Sequence, residues 1–458
     1  MFHINRGHED IDMLNGPLLG KMIKTAIPII LTNILQVLYN SADMFVLGNF
    51  CPNPNAIGAV GCTGALINLI LGLFMGLGAG ACVVLAQSIG SGNKEEISKT
   101  VHTSILLSVI LGVIVGVLGF IFSPEMLVMM KTTDEFLKDA TLYIQIYFCG
   151  SVANILYNFC AGMLRSRGDT VRPLIFSMIG GAVNIVLNLI SVIFLNMGVE
   201  GVAIATIVSQ FISAVLITIH FMRFNDDCRL DLKKLSIDKA VLGNLFKIGL
   251  PAGIQGMLFS MSNVILQSSY NKLGALYVNA NTAASNVDTY IYNVLNSFHH
   301  VALSFASQNY GARKADRIKK VRRISYACVT VIGVVLGVAA IVFSDQLIAI
   351  FDSHADVIEV ARTRLYIMAG TYFTCGLMDV GTAMLRAIGY SMQSTVIVLV
   401  GSCLLRVVWV YTVFAAHSDI FILYIVYPIS WVVTTFAQYV VFCILFKKQT
   451  RSWELKTV

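Results

Sequence analysis

Charge is scarce in this sequence. Of its 458 residues only 12% are Asp, Glu, Lys or Arg and 57% are hydrophobic, whereas a soluble domain carries about a quarter charged residues. That shortage excludes a water-soluble fold for all but a tail and a few loops. Pairing signals are missing from the ten cysteines as well: no C-x-x-C occurs, and eight of the ten lie in apolar stretches. Cysteine there behaves as a small hydrophobe, so neither a metal centre nor a disulfide is expected. The first 20 residues hold no apolar run, which excludes a signal peptide from them. Gly72, Gly76, Gly78 and Gly80 are followed by no Walker-type Lys, so they suggest close helix packing and no phosphate loop.

What is present is a succession of apolar runs long enough to cross a bilayer, about 20 residues each. Twelve such runs begin near Ile23, Ile57, Thr100, Phe136, Thr170, Val199, Leu245, Val278, Val321, Val357, Met392 and Phe421. The second, fourth, eighth and tenth are unusually long, which suggests tilt or helix extending past the lipid. Basic residues gather in alternate loops, richest in ARKADRIKKVRR at 312–323, while 49–56 has no Lys or Arg. The positive-inside rule then predicts both termini in the cytoplasm and the chain in the plasma or inner membrane. The net charge of +7 is explained by these loops and by anionic lipid, so no nucleic acid partner is expected.

One phrase occurs twice. NFCAGMLRSRGDT at 158–170 and DVGTAMLRAIGYS at 379–391 place Arg165 and Arg386, and Gly168 and Gly389, 221 residues apart. AQSIGSGNK from Ala86 and SQNYGARKA from Ser307 keep that spacing, and Pro28 and Pro251 differ by 223. The chain therefore divides into a tail at 1–20, a first lobe at 21–222, a linker at 223–244, a second lobe at 245–446 and a tail at 447–458. An even number of spans per lobe gives both lobes one orientation, with a symmetry axis along the membrane normal. The expected fold is an all-α polytopic membrane protein, twelve transmembrane helices in two six-helix lobes related by pseudo-twofold symmetry. Arg165 and Arg386, at the ends of their helices, are expected to reach lipid phosphate or the following helix.

A charge at bilayer depth costs at least about 2.5–3.5 kcal/mol, so it marks a functional site by default. Asn33, Gln36, Asn40 and Asp43 share one face of the first span, and Asp43 is a titratable cavity residue or a cap near the outer end. Asn184 and Asn188, stacked on the fifth span, serve as ion ligands or as interhelical glue worth roughly 0.6 kcal/mol each. Asn154 and Asn158 at the fourth span, with Gln255, Asn263 and Asn293 in the second lobe, complete a candidate substrate lining. Asp288, Asn286 and Asn296 add polar faces to the eighth span. Arg406, flanked by apolar residues in GSCLLRVVWVY, needs a partner, and Asp379 is the expected one.

The duplicated Met-Leu-Arg-x-x-Gly phrase, AIPIILTNILQVLYNSADMFVLGNF in the first span and GDTVRPLIFSMIGGAVNIVLNLI in the fifth resemble the multidrug and toxic compound extrusion family over residues 15–446. The resemblance implies two six-helix lobes in a V and efflux of cationic or amphipathic compounds against protons or sodium. It gives Asp43 the ion-coupling role, with Asn184 matching the family's Asn. Asn188 stands where a prokaryotic branch has Asp, an acid near Phe259 is missing, and Asp379 lies near the family's tenth-span acid. No cofactor beyond the coupling ion H+ or Na+ is expected, and the chain is read as a monomer and as no enzyme. The competing readings are a lipid-linked sugar flippase, which should carry a more cationic cavity, and an intramembrane enzyme, which should carry a nucleophile or metal cluster in one lobe.

Overall fold

The computed structural model describes residues 10–455 apart from Pro52, Pro54, Lys131 and Ser418. The ends of the two expected tails, 1–9 and 456–458, lie outside the described residues. Every regular element among the described residues is helical. In chain order these are α1 (Leu18–Phe50), α2 (Ala56–Ser91), α3 (Lys94–Met129), α4 (Asp134–Cys149), α5 (Ser151–Arg167), α6 (Val171–Phe194) and α7 (Val199–Met222). There follow α8 (Lys239–Leu273), α9 (Ala275–Gly311), α10 (Ala315–Val342), α11 (Ser344–Ala349), α12 (Ala355–Ala369), α13 (Tyr372–Ala387), α14 (Ser391–His417) and α15 (Ile420–Leu455).

Among the described residues nine helices are long and apolar enough to span a membrane, and α4 with α5, bent by 50°, makes a tenth. The two other expected spans are α9 and the pair α12–α13, which are helical but more polar. The long fourth and tenth runs are thus broken helices, interrupted at Gly150 and at Gly370–Thr371. Lipid-facing stripes are plain: Val113, Val117 and Ile121 on α3 are exposed, as are Val334, Val338 and Val342 on α10.

The repeat extends to helix starts and packing. Leu18 and Lys239, Lys94 and Ala315, Asp134 and Ala355, Ser151 and Tyr372, and Val199 and Ile420 each stand 221 residues apart. A Cβ on Gly112 would lie 2.5 Å from the Cα of Val152, and one on Gly333 would lie 2.7 Å from the Cα of Phe373. Both contacts join the third and fourth helix of a half at the same place. Gly168 and Gly389, from the duplicated phrase, have φ of 110° and 86° and end α5 and α13 in the left-handed turn that glycine favours. Gly92 (φ 71°) has its counterpart in Arg313 (φ 53°), so the turn survives where the glycine does not.

The chain divides into two compact units, Met1–Gly249 and Leu250–Val458. In the first, α5 packs on α2, α3 and α7; in the second, α13 packs on α9, α10 and α15. The segment between α7 and α8 is docked on the start of α3. Asp231 N–H donates to His102 Nε2 at 3.1 Å, Asp238 N–H donates to Thr103 Oγ1 at 3.0 Å, and Lys99 pairs with Asp238 at 3.5 Å. Two backbone N–H groups of the segment thus have side-chain partners on α3.

Candidate functional site

In the first unit three helices converge on Asp43. Asn188 Nδ2 on α6 donates to Asp43 Oδ1 at 2.5 Å, and Thr206 Oγ1 on α7 donates to Oδ2 at 3.4 Å. The ring closes through Asn188 Nδ2 to Asn184 Oδ1 (3.3 Å) and Asn184 Nδ2 to Thr206 Oγ1 (3.4 Å). Asp43, Asn184 and Asn188 are all buried, and no cationic side chain among the described residues pairs with Asp43. Asn188 Oδ1 is buried without a hydrogen-bond partner. The helix turns to π geometry at Ile190–Phe194, directly after Asn188; such one-turn bulges re-aim side chains and recur at functional sites. Two turns before Asn188, a Cβ on Gly181 would fall on the ring of Tyr39. Glycine there lets α1 and α6 approach closely enough for Asn188 to reach the carboxylate.

Other first-unit candidates stand apart from this ring. Gln36 and Asn40 are exposed and Asn33 is half-buried. Asn158 Nδ2 donates to Asn154 O (2.9 Å) and Oδ1 (3.0 Å) along its own helix. Sequence reasoning missed Thr206. Its only signal is a hydroxyl in mid-span, and Thr206 Oγ1 also lies 2.9 Å from Val202 O, the ordinary way a helical Thr is satisfied.

The second unit buries cations instead. Arg406 is 1% exposed, yet it forms no ion pair with Asp379. Its Nε donates to Ser430 Oγ at 3.1 Å, and its guanidinium lies 4.5 Å from the Tyr427 ring centre and 5.1 Å from that of Phe259. The expected pair fails because the two helices present these residues to different neighbours. Asp379 turns to α9, where Asn296 Nδ2 donates to its Oδ2 at 3.3 Å and His299 Nδ1 to its backbone O at 2.8 Å. The buried ion pair is Arg364 with Asp288, 2.7 Å apart. Arg364 also donates to Ser285 Oγ at 2.5 Å and to both oxygens of Asn281, and the Tyr372 hydroxyl donates to Asp288. Arg364 was not foreseen; as one of two arginines two residues apart, it resembled Arg362, which pairs with Asp345 near the surface.

One of the duplicated arginines departs from the expectation. Arg386 is buried and its Nη2 donates to Gln255 Oε1 at 2.9 Å, so it ties α13 to α8 and does not reach out to lipid. Arg165 is half-buried. Gln255 is further held by Thr395 Oγ1 at 3.4 Å. Asn293 donates to Thr289 O at 2.8 Å on its own helix, and Asn263 is exposed.

An apolar bundle repeated at one offset, with a buried carboxylate that no cation pairs among the described residues in one half and buried guanidinium groups in the other, is matched by a known family. The MatE family model covers residues 28–190 and 251–412, one stretch in each half. The chain belongs to the MatE family. Among relatives, "Probable multidrug resistance protein YoeA" of Bacillus subtilis is 26% identical over 378 residues, 81% of each chain. "Multidrug export protein MepA" of Staphylococcus aureus is 22% identical over 396 residues, 86% of this chain and 87% of its own. A MOP superfamily transporter structure from Pyrococcus furiosus superposes with a TM-score of 0.90 at 21% identity, covering 97% of this chain and 99% of that one. The fold is that of the MATE transporters.

Proposed function

We propose that this MatE protein is a secondary antiporter that exports cationic or amphipathic small molecules in exchange for H+ or Na+, with Asp43 as the ion-binding group. The observation that carries the reading is the Asp43 ring. Among the described residues this buried carboxylate is hydrogen-bonded by an amide and a hydroxyl and paired with no cation, and taking up a proton or a sodium ion supplies the missing counter-charge. The oxygens of Asp43, Asn184, Asn188 and Thr206 are hard donors suited to sodium, and the same carboxylate can hold a proton. Ion binding would withdraw Asp43 from the bond to Asn188 and so alter how α1 packs on α6. That change gives a bound ion differential contacts in two states, which alternating access requires.

The names of the relatives support drugs as substrates. The basic loops support cytoplasmic termini and a plasma-membrane or inner-membrane location, and the functional unit in this reading is one chain. Reconstituted protein with imposed proton or sodium gradients and a panel of cationic dyes tests the proposal. Dye movement driven by one of the two gradients is expected. Dye movement independent of both gradients, or none with any dye, would count against antiport.

A further inference from the structure

We propose that the C-terminal end of α15 is a docking site for an anionic phospholipid, with the phosphate at Lys448 and Arg451 and the acyl chains along Phe436–Ile444. This rests on the chain spanning a bilayer and goes beyond its transport activity. α15 continues as one helix to Leu455, with its last turns held against the second unit. Trp453 lies 5.3 Å from the Tyr310 ring, and the Tyr390 hydroxyl donates to Gln449 Oε1 at 3.4 Å. These contacts fix the helix rotation and so fix which side chains face outward.

The outward stripe has a definite order. Val433, Phe436, Val440 and Ile444 are 45%, 71%, 38% and 62% exposed, and at spacings of three or four residues they form one lipid-facing row. The same row continues with Lys448 and Arg451, both exposed, and ends at Leu455, which is 80% exposed. Ile444, Lys447, Lys448, Arg451, Ser452 and Leu455 form a shallow, open surface here on the one helix. Three bases against the single acid Glu454 leave positions 444–455 with a charge of +2.

A solvated basic face would not be bracketed by Ile444 on one side and Leu455 on the other. Bases in line with an acyl-facing row match a molecule with an anionic head and apolar chains. Each Lys or Arg near an anionic surface contributes about 1 kcal/mol. A soluble acidic partner could use the charge but not the exposed row beneath it.

Native mass spectrometry and thermal melting of the full chain, with added phosphatidylglycerol or phosphatidylcholine, test this. The site variant is Lys447→Gln, Lys448→Gln, Arg451→Gln. The control variant, Lys233→Gln, Lys234→Gln, Lys239→Gln, removes the same charge from the segment between α7 and α8. The wild type and the control should retain phosphatidylglycerol on the order of tenfold better than phosphatidylcholine, and the site variant should lose that preference. An unaltered preference in the site variant, an equal loss in both variants, or no preference in the wild type would overturn the proposal. So would protection by poly-glutamate or inorganic phosphate equal to that of the lipid, which would assign the patch to a soluble ligand.

Discussion

Asn188 on α6 holds Asp43 on α1 through a 2.5 Å hydrogen bond between residues 145 positions apart. Thr206 reaches the same carboxylate at 3.4 Å, so the amide is the stronger partner. A hydrogen bond to a charged group contributes about 1.5–3 kcal/mol. Because that bond holds the carboxylate in its ion-free state, Asn188→Ala is expected to lower the proton concentration for half-maximal dye efflux by about tenfold or more. Thr206→Val should have a smaller effect. The reverse ranking in reconstituted transport would contradict the ring as described.

The repeated close approaches predict paired stability effects. Gly112→Ala and Gly333→Ala each drive a methyl into the backbone of a neighbouring helix, at Val152 on α5 and Phe373 on α13. Overpacking of this kind costs about 1–3 kcal/mol, so each variant should melt several degrees below the wild type. Gly64 meets nothing within 4 Å of an added Cβ, and Gly64→Ala should melt at the same temperature or slightly higher. Fluorescence-detected thermal melting distinguishes the cases.

Asp288 and Arg364 form the buried ion pair of the second unit, and removing one partner of such a pair costs about 3–5 kcal/mol. Asp288→Asn or Arg364→Met alone should sharply lower folded yield in detergent. The double variant should recover much of it. Arg406→Met strands no carboxylate, and adding Asp379→Asn to it should bring no rescue. Recovery by Asp379→Asn would restore the pairing that the structure lacks.

His102 and Asp231 give a local prediction for the segment between α7 and α8. His102 Nδ1 lies 2.7 Å from Ser98 O, which can only accept, so Nδ1 carries the proton and Nε2 accepts from Asp231 N–H. His102→Ala should speed amide exchange at Asp231 and leave α5 unchanged. Equal exchange in both proteins would show that the segment is held without the imidazole.

Much of this architecture is visible in the sequence, for reasons particular residues make clear. Helix starts at Lys94 and Ala315, or Val199 and Ile420, are marked by polar breaks between apolar runs, and the common offset fixes the two-half plan. Asp43 stands out because an acid amid apolar residues is costly. Partners are harder to read, since a pair needs the rotation of both helices. Asp379 and Arg406 are isolated polar residues on adjacent spans, yet α13 turns one to Asn296 while α14 turns the other to Ser430 and Tyr427. Arg364 and Asp288, 76 positions apart, meet because α12 and α9 pack face to face. Thr206 is hidden by its ability to bond its own helix. The breaks at Gly150 and Gly370 sit inside runs whose apolar pattern is continuous.

The central claim is that Asp43 couples ion movement to substrate export, and Asp43→Asn tests it most directly. Proteoliposomes carrying wild type or variant at equal protein level would be given the same proton or sodium gradient, and efflux of a cationic dye followed. Gradient-driven efflux should vanish in the variant while dye binding and melting temperature stay close to wild type. Gradient-driven efflux at the wild-type rate in Asp43→Asn would contradict the account.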